Sequence, residues 1–373
     1  MADLASFPFS FFSDTASSDD GYVVNPDVTV LTLTGNDSIT GTISGTLTSG
    51  IFNAGTILTG FGNDSIVGTG GGSGIFNSGI IATSFGNDIL DGDATGDNTS
   101  GIFNEGIIAS GFGDDSLTGT SNSTAIFNTG RISTSVGNDS IVGVATGDFT
   151  TGIFNEGIIN TSFGNDSILG TTISGTFSTG ILNKGFIDTG FGNDSINGTN
   201  GGTFGSGIDN DQSIKTGWGN DEITGTAEGS FTFGIDNAGT IDTSSGNDQI
   251  TGSSTSSSGI VNTGTINTGS GRDVVDALNG GFAGDGIISL GSGKDMLKGH
   301  GEGSFDGGRG KQDQILFNTG TYVIVDVENG FIIDSLMSIT NFERIGSAQS
   351  GDFLSLEAGV LVISAGGDVS YSA

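Results

Sequence analysis

The chain has 373 residues, 71 of them Gly and none Cys, and its 42 acidic and 9 basic side chains leave a net charge of −33. The lack of cysteine excludes disulfide frameworks, thiolate metal sites and cysteine nucleophiles. The acidity excludes nucleic acid and anionic membranes as partners, because both require a basic footprint, and it makes cations the natural counterparts. His300 is the single histidine, which argues against histidine catalysis and a histidine-rich metal site. No apolar run approaches the roughly 20 residues of a membrane-spanning helix.

The first twelve residues, MADLASFPFSFF, have no basic n-region and carry Asp3, so they do not read as a Sec signal peptide. Phe7, Phe9, Phe11 and Phe12 are too apolar for a free tail. We expect residues 1–22 to cap the open end of the fold, where bare strand edges invite association, or to dock on another subunit. Residues 22–37 read as a degraded first repeat, with Val23 and Asn25 near the positions that anchor later ones.

From there the chain repeats itself. The Asp of a G-N-D turn falls at Asp37, Asp64, Asp88, Asp115, Asp139, Asp166, Asp194, Asp221 and Asp248, then as G-R-D at Asp273 and G-K-D at Asp295. The Ile of G-I-F-N forms a second column, from Ile51 through Ile102 to Ile260, and the next Asp always lies 13 residues on. Only the stretch between an Asp and the next anchor Ile varies, from 11 to 15 residues, so each unit has one adjustable loop. Within the rigid part apolar residues alternate with small or polar ones, the signature of strands.

A unit this short cannot bury its own apolar face, but stacked units can. We therefore expect an all-β protein: a right-handed parallel β-helix, or β-solenoid, of about 10–12 coils of about 24–28 residues with three short strands each. The solenoid is placed at 23–300, and 301–373 reads as a C-terminal cap of alternating strands.

Two polar columns follow from that stacking. Asn53, Asn77, Asn104, Asn128, Asn155, Asn183, Asn210, Asn237 and Asn262 have inward parity and are expected to form an amide ladder. The Asp column is costlier. Like charges ~4.8 Å apart repel by about 0.9 kcal/mol per neighbour in water and by about 3.5 at an effective dielectric of 20. Solvation, protonation or cations between the coils are the ways out.

The stretches GFGNDSIVG (60–68) and GFGNDSING (190–198) resemble the RTX, or hemolysin-type, calcium-binding nonapeptide. Thr59 and Ser110 stand where that motif has its first Gly, and each coil carries one such turn rather than a direct tandem. The resemblance implies Ca²⁺ held between coils by the Asp column listed by residue above, from Asp37 to Asp295. Asp114, which replaces the usual Asn before Asp115, adds a second carboxylate and makes that coil the first candidate. It also implies that the stretch 290–317 is close to ordinary tandem repeats, and that the C-terminal part carries an uncleaved type I secretion signal.

Phe52, Phe76, Phe103, Phe127 and Phe154 follow the anchor Ile in successive units with outward parity, and Phe61, Phe85, Phe112, Phe163, Phe191 and Trp218 form a second column. Exposed aromatic stripes mark interfaces, unless the adjustable loops fold over them. No constellation of basic, Tyr and carboxylate groups gathers for polysaccharide chemistry, and the Ser/Thr lattice is too irregular for ice binding. The expectation is a non-enzymatic, secreted, calcium-binding structural or adhesive protein of the cell surface. It would associate with itself or with other surface components, polysaccharide included.

Overall fold

A computed structural model describes residues 1–372. Its strands stack in parallel into a β-solenoid of about 12 turns with almost no helix. Each coil contributes to three sheets. The strand after the G-N-D turn, such as Ser116–Ser121, lies in a 15-stranded sheet, and the G-I-F-N strand, such as Ser100–Asn104, lies in a 12-stranded one. The short G-x-I strand, such as Ile80–Ala82, pairs with its counterparts above and below to form the third.

Register follows the sequence columns. Ile75 pairs with Ile102, Phe76 with Phe103 and Asn77 with Asn104, so equal residues sit on top of one another through the stack. The coils send one apolar residue inward from each sheet, mostly aliphatic: in one coil Ile126, Ile132 and Ile141 are all completely buried. The alternation is forced by strand geometry, since successive side chains leave opposite faces.

Stacking begins earlier than the repeat pattern suggests. Thr15–Ser18 pairs with Ser38–Thr46, and Ala2–Asp3 pairs with Tyr22–Val24. In this first coil Tyr22 aligns with Ile51 and Val24 with Asn53. The anchor is therefore Tyr22 rather than Val23, and the amide position is held by Val24 rather than Asn25. The end is closed mainly by Leu4, which is fully buried in a short 3-10 turn. Phe7 and Phe9 pack partly against the core with ring centroids 4.7 Å apart. Phe11 and Phe12 do not join them and stay exposed.

At the other end parallel stacking continues past residue 300. Gly303–Asp306 pairs with Met337–Thr340, and Gln314–Phe317 with Arg344–Ser347. Antiparallel strands then turn across the last coil: Gly320–Val327 pairs with both Gly330–Ile333 and Gly359–Ile363. Phe317, Met337 and Leu361, all fully buried, seal the core beneath them. This is the expected C-terminal β cap, and it covers the otherwise open edge of the stack.

Candidate functional site: two side-chain ladders at one corner and an aromatic cleft at another

The G-N-D turn explains why its Asn and Asp hold position. A tight turn leaves backbone N–H groups without sheet partners, and buried N–H groups must be satisfied. Here two consecutive ones are satisfied in opposite directions along the rod. The Asn63 N–H donates to Oδ1 of Asn36 in the preceding coil (2.9 Å), whereas the Asp64 N–H donates to Oδ1 of Asp88 in the following coil (2.7 Å). The pattern repeats from turn to turn. The aspartate chain runs from Asp14, whose N–H reaches Asp37, to Asp313, whose N–H ends on Glu343 Oε2 at 2.8 Å.

The sequence reading missed both ends of this chain. Asp14 precedes Thr15-Ala16 as Asp37 precedes Ser38-Ile39, which is the signal that finds it. Asp313 sits in a turn with one extra residue, and Glu343 carries no repeat signature at all.

The Asp carboxyls lie inside the corner. Asp37 through Asp313 are at most 3% exposed, so solvation does not relieve their repulsion. Oδ1 of each accepts the neighbouring N–H, and Oδ2 of each is buried without a partner. Five residues before nine of these aspartates stands a Thr or Ser whose hydroxyl faces the carboxyl, as Thr161 does for Asp166. In seven of the nine that hydroxyl also reaches the next coil's carbonyl: Thr161 Oγ1 lies 3.2 Å from Thr189 O, and Thr243 Oγ1 lies 3.2 Å from Thr268 O.

One hydroxyl hydrogen cannot serve both acceptors. A proton on Oδ2 resolves the conflict, since the carboxylic acid then donates to the hydroxyl and the hydroxyl donates to the carbonyl. Burial acts in the same direction. It pushes Asp115 and Asp248 up to about 7, and Asp166, Asp273 and Asp295 up to about 6, against the lowering effect of the N–H and hydroxyl donors.

The same geometry tests the implied calcium. Ca²⁺ takes six to eight oxygens at about 2.3–2.6 Å. Each rung offers one uncommitted carboxylate oxygen and one hydroxyl. The turn carbonyls already accept one N–H each: Gly60 O from Phe85 N, and Phe61 O from Gly35 N. Asp114 is exposed and accepts from Asn138 N, while Asp115 is buried, so the two carboxyls of that coil do not converge. Among the described residues no group of three or more His, Cys, Asp or Glu side chains is placed to hold a metal ion. Each rung of the folded column thus presents fewer free oxygens than the six to eight a Ca²⁺ ion takes.

The inward Asn column forms the ladder expected of it. From Asn53 to Asn237 each Nδ2 donates to Oδ1 of the next Asn at 2.7–2.9 Å. It also donates to a carbonyl of the third sheet, as Asn128 does to Ile158 O at 3.1 Å. All nine are at most 4% exposed. Replacing one rung strips partners from both neighbours. Asn155→Ala is therefore expected to lower unfolding stability by about 3 kcal/mol, read from urea denaturation; a loss below about 0.5 kcal/mol would mean the ladder is dispensable.

The two aromatic columns differ in setting. Phe61, Phe85, Phe112, Phe163, Phe191 and Trp218 stand open to solvent, Phe61 at 58% and Trp218 at 65% exposure, with Val136 completing the row. A third column, which the sequence pattern hid inside the adjustable loops, carries Phe149, Phe177, Phe204 and Phe231, exposed and stacked 5.1–5.2 Å apart. Phe52, Phe76, Phe103, Phe127 and Phe154 point outward but are only half-exposed, because the adjustable loops rise beside them. They floor a cleft of about 700 Å³.

No family model, curated protein or solved structure matches this chain.

Proposed function

We propose that this chain is an extracellular structural or adhesive protein of the cell surface: a rod that joins other copies or other surface components side-on. The observation that supports this is the solvent-exposed aromatic column from Phe61 to Trp218, which runs along one corner of a rigid scaffold carrying no catalytic constellation among the described residues. Large exposed apolar rows are costly in water and mark contact surfaces. The charge of −33 keeps free rods apart, so association is expected to strengthen with salt or divalent cations that screen it.

Export by a type I pathway belongs to this reading through the RTX resemblance, as does calcium. The role assigned to calcium here is screening and bridging between rods rather than filling the buried Asp column.

Sedimentation velocity and electron microscopy test the proposal. The wild type is expected to form assemblies in millimolar Ca²⁺ and 150 mM salt, and the triple variant Phe85→Ser, Phe112→Ser, Phe163→Ser to remain monomeric with an unchanged circular dichroism spectrum. A wild type that stays monomeric in all conditions and binds no surface component would remove the proposal. Circular dichroism melts in EDTA and in Ca²⁺ address the column separately, since a calcium cage would raise the midpoint of the monomeric variant as well.

A further inference from the structure

We propose that the five-phenylalanine cleft binds a neutral, extended polysaccharide. The cleft lies on a different corner from the exposed column, and the inference holds whether or not the rods associate with one another.

Three observations select the ligand class. The first is charge. On a chain of net charge −33, no charged side chain lines the cleft among the described residues. A polyuronate or a fatty-acid carboxylate would meet a repulsive field that the Met1 ammonium and Lys184 at its margin offset only in part. A cationic ligand would find no carboxylate within the site. The charge-free stretch is bounded: Lys184 sits 5.6 Å over the ring of Phe154, and beyond it the same column turns to Asp209 and Asp236.

The second is the pairing of floor and wall. Each coil contributes a ring to the floor, and the first four also add hydroxyls to one side, among them Ser73, Ser100, Ser123 and Thr124. An acyl chain would leave those hydroxyls without partners, which is unfavourable in a partly dehydrated cleft. A sugar chain presents an apolar face and hydroxyls in every unit and satisfies both.

The third is period. Neighbouring ring centroids are 4.9, 5.2, 5.0 and 4.9 Å apart, giving a floor of about 20 Å. A linear ligand matches this repeat when its own unit spans about one coil, as an extended pyranose chain does. The near-parallel rings are held at the coil spacing, wider than the roughly 3.5–4.0 Å at which carbon layers touch, so they are not in close face contact with one another. Between Phe76 and Phe103 the planes turn by 86°, so the floor has two differently inclined facets.

Isothermal titration of the full chain with β-1,4-linked glucan oligosaccharides tests this. Binding is expected to strengthen from trisaccharide to hexasaccharide and to level off once the chain outruns the five rings. Phe103→Ala is expected to weaken hexasaccharide binding at least tenfold, whereas Phe191→Ala on the exposed column leaves it unchanged. Circular dichroism melts confirm that both variants fold. A tetragalacturonate is expected to bind more weakly than the neutral tetrasaccharide at low salt, the gap narrowing as salt screens the field. Failure to bind the neutral hexasaccharide at millimolar concentration, equal binding by Phe103→Ala, or a preference for the galacturonate or for palmitate would each overturn the assignment.

Discussion

Acidification from pH 8 to pH 5 in EDTA is expected to raise the thermal midpoint of this protein, by on the order of 10 °C. That is the reverse of ordinary acid denaturation. The Asp115 and Asp248 carboxyls are pushed up to about 7, and those of Asp166, Asp273 and Asp295 to about 6, principally by burial. A carboxyl whose pKa is higher folded than unfolded binds its proton more tightly in the fold. Its stabilising contribution is complete below the unfolded value near 4 and is lost as pH rises through the folded value. The sensitive window is therefore about pH 4 to 7.

Relief of the surface charge works in the same direction, so a column variant separates the two. Asp166→Asn replaces a carboxylic acid with a neutral isostere that can donate to the Thr161 hydroxyl. It is expected to stabilise the fold by about 2 kcal/mol at pH 8 and by roughly half as much at pH 5. Asp19→Asn on the exposed surface should shift stability at neither pH by more than about 0.5 kcal/mol. A midpoint that falls on acidification, or an Asp166→Asn variant that is destabilised at pH 8, would show that the column is ionised and otherwise compensated.

Gly219→Ala is expected to cost more than about 4 kcal/mol and to open the stack locally. Gly219 has φ of 142°, a conformation that L side chains rarely adopt, and an added Cβ would lie 1.5 Å from the carbonyl oxygen of Gly192 in the preceding coil. Neither strand spacing nor a rotamer change can absorb that overlap, because the obstacle is backbone. Gly366→Ala in the C-terminal cap is the control. A Cβ there meets nothing closer than 3.6 Å and φ is not positive, so the change is neutral or stabilising by up to about 1 kcal/mol. Urea unfolding with hydrogen exchange measures both, and exchange is expected to quicken around residues 192–219 in the first variant alone. Equal stability of the two proteins would show that coils can spread apart at this corner.

Much of this molecule was legible in its sequence because stacking turns a one-dimensional period into a column. The fixed 13 residues between anchor Ile and turn Asp, the strand alternation and the single variable loop determined the solenoid, its three sheets and the amide ladder. Each is a local pattern that parallel register copies into three dimensions. The ends were less legible, since Tyr22, Val24, Asp14 and Glu343 occupy column positions without column residues around them.

What only the tertiary structure decided is which way side chains face at the corners. Strand parity does not apply within a turn, so the sequence did not separate the turn Asn from the Asp that follows it. The folded chain instead sends one to solvent and the other into the core, each accepting an N–H from the coil on its own side. In the same way parity made the Phe52 column an exposed stripe, and the height of the adjustable loops made it the floor of a cleft. A repeat specifies what recurs; the meeting of neighbouring coils specifies what each recurring group touches.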